Sequence, residues 1–254
     1  TTSAAYTQCA PRGLLIEEPR TNQLLQSNDF QTSWTPANVT RTLASITGPD
    51  GISSGVKIEA TTTAATTLLQ GSAIVNTAAT FSVYVKQGSG ATTANNFVLR
   101  NSTTATNLIV GTFNYSTGAW AYSTGSTGVI VTNVSNGWWR ISLSAITGIT
   151  SGDTIIGYVG FSGNAQIAGD YLYAYGAQLE ESGFATSYIP TTSATVLRSA
   201  DSASVNTLTP WYNATEGTLV VQAYNFVPDA DNIVRMIAAL TDTASYTNAV
   251  RLER

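Results

Sequence analysis

Phe81-Ser82-Val83-Tyr84-Val85-Lys86 decides the fold class of this chain. Phe81, Val83 and Val85 alternate with Ser82, Tyr84 and Lys86, a period of two that puts one set on each face of a strand. Aromatic and β-branched side chains suit that pleat. The same period recurs at Asn96 to Arg100, Leu108 to Phe113, Val129 to Val134 and Trp139 to Leu143, each bounded by Gly, Asn, Ser or Thr. Helical spacing of apolar residues is almost absent. Strands returning every roughly ten to fifteen residues predict an all-β sandwich or barrel, not βαβ units. The turns agree. Asp50-Gly51 and Asn136-Gly137 are strong turn dipeptides, and Gly88-Ser89-Gly90 and Ser116-Thr117-Gly118 support them. Asn136-Gly137 is expected to close a hairpin between Val129-Ile130-Val131 and the strand from Trp138, because a type I′ turn needs positive φ at both central residues.

Composition narrows the function classes. The 254 residues are 43% apolar and only 10% charged, with a net charge of -4; globular domains average about 25% charged. Ser, Thr, Ala, Gly and Asn fill the difference, so the surface is made largely of small hydroxyl and amide groups. Eleven scattered basic residues (Lys+Arg 11) give no basic stripe for nucleic acid. They also give no basic face for a membrane surface, and no run approaches the ~18 apolar residues of a membrane span. Thr1 to Gln8 has neither the basic nor the apolar region of a signal peptide, and the absent initial Met reads as processing or as a start inside a longer chain. Cys9 is the one cysteine, and histidine is absent. That excludes an intrachain disulfide, cysteine- or histidine-ligated zinc, and every catalytic constellation built on imidazole.

Organisation changes near Pro190. Residues 1–11 read as an N-terminal extension and 12–189 as one large domain. Pro190-Thr191-Thr192-Ser193-Ala194-Thr195 is extended and Thr-rich, so 190–210 reads as a linker or a strand leaving that domain. Gly217 to Ala223 reads as a new strand, and 233–240 as a strand or short helix. Residues 211–254 are too few to close a sandwich, since about forty residues supply too few strands, and are expected to be an incomplete second domain.

Two segments carry a family resemblance. Arg12-Gly13-Leu14-Leu15-Ile16-Glu17-Glu18-Pro19-Arg20-Thr21-Asn22, followed by Leu24-Leu25, resembles the opening segment of tailed-phage fibre and head-spike-base proteins. Tyr175-Gly176-Ala177-Gln178-Leu179-Glu180, then Phe184 to Thr191 and Thr195-Val196-Leu197-Arg198, resembles the closing segment of the same domain. Phe81 to Lys86 and Asn136 to Arg140 are similar to strands that the family places between them, so the likeness spans roughly 12–204. It implies a jelly-roll sandwich similar to carbohydrate-binding modules. Residues 211–254 resemble the start of a lectin-like (laminin-G or concanavalin-type) sandwich. The resemblance further implies a non-enzymatic structural protein of the extracellular phage particle. Such a fibre or spike module would be a homotrimer docked on other virion proteins and facing bacterial surface glycan. A purely architectural head-fibre or capsid-decoration role, and the N-terminal part of a polysaccharide-degrading tail spike, remain open beside it.

Sugar binding by a sandwich needs flat rings to stack on a pyranose, with polar groups for its hydroxyls. Trp34, Trp120, Tyr122 and Trp139 are the candidates, against the plainer reading that all of them serve packing. Trp138 and Trp139 are adjacent, so they must face opposite sides of a strand. For the carboxylates the expectation is structural. Glu17 and Arg20 in the opening segment and Glu180 and Arg198 in the closing segment are expected to brace the two ends of the domain. A glycosidase pair set across a scissile bond is the lesser reading. Asp50 and Asp170 are possible oxygen ligands, but no Asp-x-Asp loop occurs, so neither a metal nor any other cofactor is expected.

Overall fold

The computed structural model describes residues 15–63, 66–89, 95–125, 128–160, 167–203, 236–242 and 245–253. The chain divides into two units, Thr1–Ser202 and Ala203–Arg254. The strands of the first unit are β1 (Arg20–Asn22), β2 (Thr35–Ala37), β3 (Val39–Thr47), β4 (Ser53–Ala60), β5 (Thr67–Ala73), β6 (Ala79–Gln87) and β7 (Asn95–Asn101). They continue with β8 (Thr106–Asn114), β9 (Ala119–Thr124), β10 (Val129–Asn133), β11 (Trp138–Ala145), β12 (Thr154–Tyr158), β13 (Tyr171–Glu180) and β14 (Val196–Arg198). The described part of the second unit is one antiparallel hairpin, β15 (Met236–Asp242) with β16 (Ser245–Glu253). There is no helix among the described residues.

The first unit is a jelly-roll β-sandwich. One six-stranded sheet runs β10-β11-β6-β13-β4-β3 and the other β2-β5-β12-β7-β8-β9. All the pairings are antiparallel, and the chain repeatedly crosses from sheet to sheet. Each strand gives its alternate apolar residues to one shared core. Val56, Ile58, Phe81, Val83, Val85, Ile141, Leu143, Leu172 and Ala174 come from the first sheet; Leu68, Phe97, Leu99, Ile109, Phe113 and Ile155 come from the second. The sheets meet so closely that a side chain at Gly157 on β12 would collide with the Phe81 ring.

The strict period-two stretches form the strands they predict, and the turns sit where the dipeptides place them. At the β10–β11 turn Asn136 and Gly137 have φ of 51° and 76°, and the Trp138 amide donates to the Ser135 carbonyl at 2.9 Å. At the β3–β4 turn Gly51 has φ 82°, and the Asp50 carboxylate accepts from the Ile52 amide at 3.2 Å and the Ser54 hydroxyl at 2.6 Å.

Two open alternatives are resolved for the described residues. Residues 236–242 are strand, which settles the strand-or-helix alternative for that part of 233–240. Residues 190–202 are not a free linker but part of the sandwich unit. Thr191 is buried; its amide donates to the Ser27 hydroxyl at 2.9 Å and its hydroxyl to the Leu24 carbonyl at 2.6 Å. Farther on, β14 pairs with β1, with Arg20 opposite Arg198. Low apolar content made this stretch look like a linker, but its anchorage is polar. The extension 1–11, Cys9, Arg12 to Leu14, Gly90 and the strand expected at Gly217 to Ala223 lie outside the described residues.

Candidate functional site

The site grows from β13. Tyr171-Leu172-Tyr173-Ala174-Tyr175 alternates strictly, so Leu172 and Ala174 enter the core while three tyrosines line the outer face of the sheet. Register sets their neighbours. Tyr175 lies opposite Tyr84 on β6, which lies opposite Arg140 on β11. The next row is Trp138, Lys86, Tyr173 and Lys57, and Tyr171 faces Glu59 beyond it. Tyrosines and charged side chains thus share one face of four adjacent strands.

A bulge ends this row. Between Tyr175 and Gln178 the register against β6 slips by one residue. Gly176 sits there with φ 58°, and the Tyr188 ring lies against it. The slip flips the parity of the strand. Ala177 and Leu179 turn inward, and Gln178 and Glu180 turn to the outer face. They are nonetheless buried, because the closing segment lies over them. The Ile189 amide donates to Gln178 at 2.7 Å, and the Thr80 hydroxyl to the Ser182 carbonyl at 2.8 Å. One half of the outer face is thereby roofed by 182–191, and the tyrosine half is left half-exposed.

The two ends of the tyrosine face differ in chemistry. At the roofed end Tyr84, Tyr175 and Tyr188 form an edge-to-face cluster, with centroids 5.7 Å (84–175), 5.4 Å (175–188) and 6.5 Å (84–188) apart. The Arg140 guanidinium lies 5.2 Å from the Tyr84 centroid and donates to the Thr186 carbonyl at 2.6 Å. Burial raises the Tyr188 phenol to about 12, the Ser27 hydroxyl at 2.7 Å offsetting it in part. Burial, with the Asp50 charge nearby, pushes Tyr175 up as well. At the open end Lys57 sits 4.3 Å from the Tyr171 centroid and 2.5 Å from the Glu59 carboxylate. That hydrogen bond raises the Lys57 ammonium against the opposing effect of burial. Burial and the Tyr171 hydroxyl raise Tyr173. Tyr171 and Tyr173 stand edge to face at 5.4 Å.

The residues singled out in the sequence occupy other places. Trp34 is core, 4.9 Å from the Phe30 ring, with its indole N–H donating to the Leu25 and Gln26 carbonyls. Its loop-like Ser33-Trp34-Thr35-Pro36 setting conceals that burial. Trp120 lies flat over Gly111 beside the core, and Trp139 turns inward against Phe113 at 5.5 Å. Tyr122 is exposed at the β9 edge, 6.3 Å from Trp120. Trp120 and Trp139 thus pack against the core at the flank of the sandwich, with Tyr122 exposed beside them. Trp138 does face the opposite way, yet it is covered: its N–H donates to the Thr47 carbonyl at 3.1 Å, and Gly55 leaves room for its ring.

The proposed brace is partly rearranged. Glu17 and Arg198 meet at 2.7 Å, and the Ser187 amide donates to Glu17 at 2.8 Å. Arg20 pairs with Glu18 within its own segment and lies 5.2 Å from the Phe184 ring. Among the described residues Glu180 pairs with no arginine. It lies beneath the closing segment and accepts from the Thr186 amide at 3.0 Å and the Thr186 hydroxyl at 2.5 Å. The strongest tie is one the sequence reading missed. Asn22 is fully buried; its amide donates to the Ala177 and Ile189 carbonyls at 3.1 and 2.8 Å and its oxygen accepts from the Leu24 and Leu179 amides, both at 3.1 Å. The tyrosine face was missed too, although the Tyr-x-Tyr-x-Tyr period of 171–175 was there to be read.

No protein-family model matches the chain, and no curated protein matches it. Solved structures do. The xylan-binding CBM22-1 domain of Paenibacillus barcinonensis Xyn10C is 12% identical over 67% of this chain and 96% of that one, with a TM-score of 0.35. A structure described as a carbohydrate-binding module of the β-sandwich superfamily is 13% identical over 62% of this chain and 61% of that one, TM-score 0.38. The family 11 carbohydrate-binding module of Clostridium thermocellum, in complex with a mixed-linked tetrasaccharide, is 10% identical over 69% of this chain and 98% of that one, TM-score 0.33.

Proposed function

We propose that the sandwich is a non-catalytic glycan-binding module that takes sugar on the open half of the outer face. The observation that carries this reading is the register itself: Tyr84, Tyr171, Tyr173 and Tyr175 share one face with Lys57, Glu59, Lys86 and Arg140. Half-exposed rings offer stacking surface, and the charged groups beside them offer hydrogen bonds to hydroxyls. Glu59 is paired to Lys57, Glu17 to Arg198 and Glu18 to Arg20, and Glu180 is buried on Thr186.

Affinity electrophoresis against a panel of soluble polysaccharides tests the proposal. Tyr173→Ala is expected to weaken retention by roughly tenfold, the cost of a stacking ring and its buried area. Tyr122→Ala, on the β9 edge, is expected to leave retention unchanged. Retention that Tyr173→Ala leaves intact, or that Tyr122→Ala abolishes, would place the site elsewhere.

The setting we assign is a phage fibre or spike, with the module repeated in a homotrimer on the virion so that weak single-site contacts multiply. The likeness of the opening and closing segments supports that setting. Light scattering on the purified chain is expected to give the mass of three copies; a monomer at micromolar concentration would count against it. A purely architectural role is the second reading. It is favoured by residues 101–139, which hold no charged side chain and supply the edge strands β9 and β10. An uncharged edge is suited to burial against another protein.

A further inference from the structure

The chain contains two lysines, Lys57 and Lys86. Both are register partners of one residue, Tyr173: Lys57 on the β4 side and Lys86 on the β6 side. Neighbouring strands lie about 4.8 Å apart, so the two stems stand roughly 5 Å to either side of that tyrosine on the open face.

The arginines do different work. Arg41 donates to the Phe30, Gln31 and Trp34 carbonyls, Arg140 to the Thr186 carbonyl and Arg198 to the Glu18 carbonyl. Their planar forks tie loops to the sandwich. A lysine ammonium is instead a compact, rotatable charge with three donors. Lys86 gives one hydrogen bond to the Asn136 carbonyl at 2.7 Å, and Lys57 gives one to Glu59 at 2.5 Å. Donors remain on both. Around the tyrosines Lys57, Lys86 and Arg140 face Glu59, Asp50 and Asp29, and both lysines of the chain flank Tyr173.

Resting on the glycan-binding reading above, we infer that the ligand of this face is an acidic polysaccharide. A sugar ring stacks on Tyr173, and its carboxylate, sulfate or phosphate group is held by Lys57 and Lys86. Glu59 is the resident counter-ion. It holds Lys57 over the Tyr171 ring and competes with the incoming anion for it. A neutral glycan would gain the ring but bring no anion to either ammonium group.

The test uses the full chain and matched polymers. Polygalacturonate is compared with its fully methyl-esterified form, and dextran sulfate with dextran, by titration calorimetry at low and high salt. The acidic member of each pair is expected to bind about tenfold tighter at low salt, as two partly exposed ion pairs would give, with the difference shrinking as salt rises. Lys57→Gln combined with Lys86→Gln is expected to remove the difference between the acidic and neutral member of each pair. Glu59→Gln is expected to widen it roughly threefold by freeing Lys57. Melting curves establish that these variants fold. Equal binding of acidic and neutral partners, with Tyr173→Ala still abolishing both, overturns the inference and leaves the glycan reading standing. A preference for acid that survives loss of both lysines also overturns it. Binding of none of the polymers removes the reading and the inference together.

Discussion

Asn22 ties several parts of the sandwich together through one buried side chain. Its four hydrogen bonds connect β1 to β13 and to Ile189, all in buried surroundings. Removing the amide leaves two amides and two carbonyls without those partners, and an unmet buried polar group costs about 1–3 kcal/mol. Asn22→Ala is therefore expected to lose roughly 3–5 kcal/mol, read as a lower urea midpoint at unchanged slope. A loss below about 1 kcal/mol would mean that water replaces the amide. Tyr188 bears on stability at alkaline pH. Its phenol is raised to about 12 from an ordinary 10.0 by burial. Between those values the unfolded chain has released the proton and the folded chain has kept it. Stability is thus fully present below pH 10 and falls as pH climbs toward 12. The burial that raises Tyr175 adds to the same trend. Alkaline melts followed at the phenolate absorbance are expected to show ionisation of Tyr188 coinciding with unfolding. Tyr188→Phe is expected to flatten the pH slope, though it also loses the Ser27 hydrogen bond.

At the scale of the element, β13 decides the site, and its bulge decides β13. Without the extra residue at Gly176, Gln178 and Glu180 would point into the core. A side chain at Gly176 meets φ 58° and a Tyr188 ring 3.3 Å away. The left-handed conformation alone costs about 1–2 kcal/mol for an L-residue. Gly176→Ala is expected to lose roughly 2 kcal/mol in thermal melts and to loosen Tyr188, seen as a lower phenol pKa. This element also shows what was legible in the sequence. Strands with strict alternation, such as β6 and β11, declare both their existence and their faces. The edge strand β3 and the short β2 do not, because an edge has little apolar surface to bury and its pattern is weak. The tyrosines of β13 were readable as a period; the parity flip after Tyr175 shows in the sequence only as two short apolar runs out of phase, Leu172/Ala174 and Ala177/Leu179, joined at Gly176. Trp34 was misread for a related reason. Its burial depends on Phe30 and on carbonyls of the segment 25–26, which local context does not reveal.

At the scale of the molecule, the sandwich is shut by its own ends. β1 and β14 pair outside the two large sheets, and the closing segment roofs the buried polar row of Ser82, Gln178 and Glu180. The ends therefore belong to the fold, and the boundary of the first unit lies at Ser202, not at Pro190. This can be tested by where the chain is cut. A chain ending at Ser202 keeps Thr191, β14 and the Glu17–Arg198 pair, and is expected to melt as the sandwich does in the full chain. A chain ending at Pro190 loses the Thr191 hydrogen bonds to Ser27 and Leu24, the β1–β14 pairing and that ion pair. At about 1 kcal/mol for each hydrogen bond and up to about 1 for a partly exposed pair, the loss is roughly 3–5 kcal/mol. That is a large share of the ~5–15 kcal/mol that holds a domain together. The shorter chain is expected to melt some tens of degrees lower at most, and at least about 5 °C lower for a domain of this size. Equal melting of the two chains would show that the clasp contributes nothing and that Thr191 to Ser202 is a tether after all.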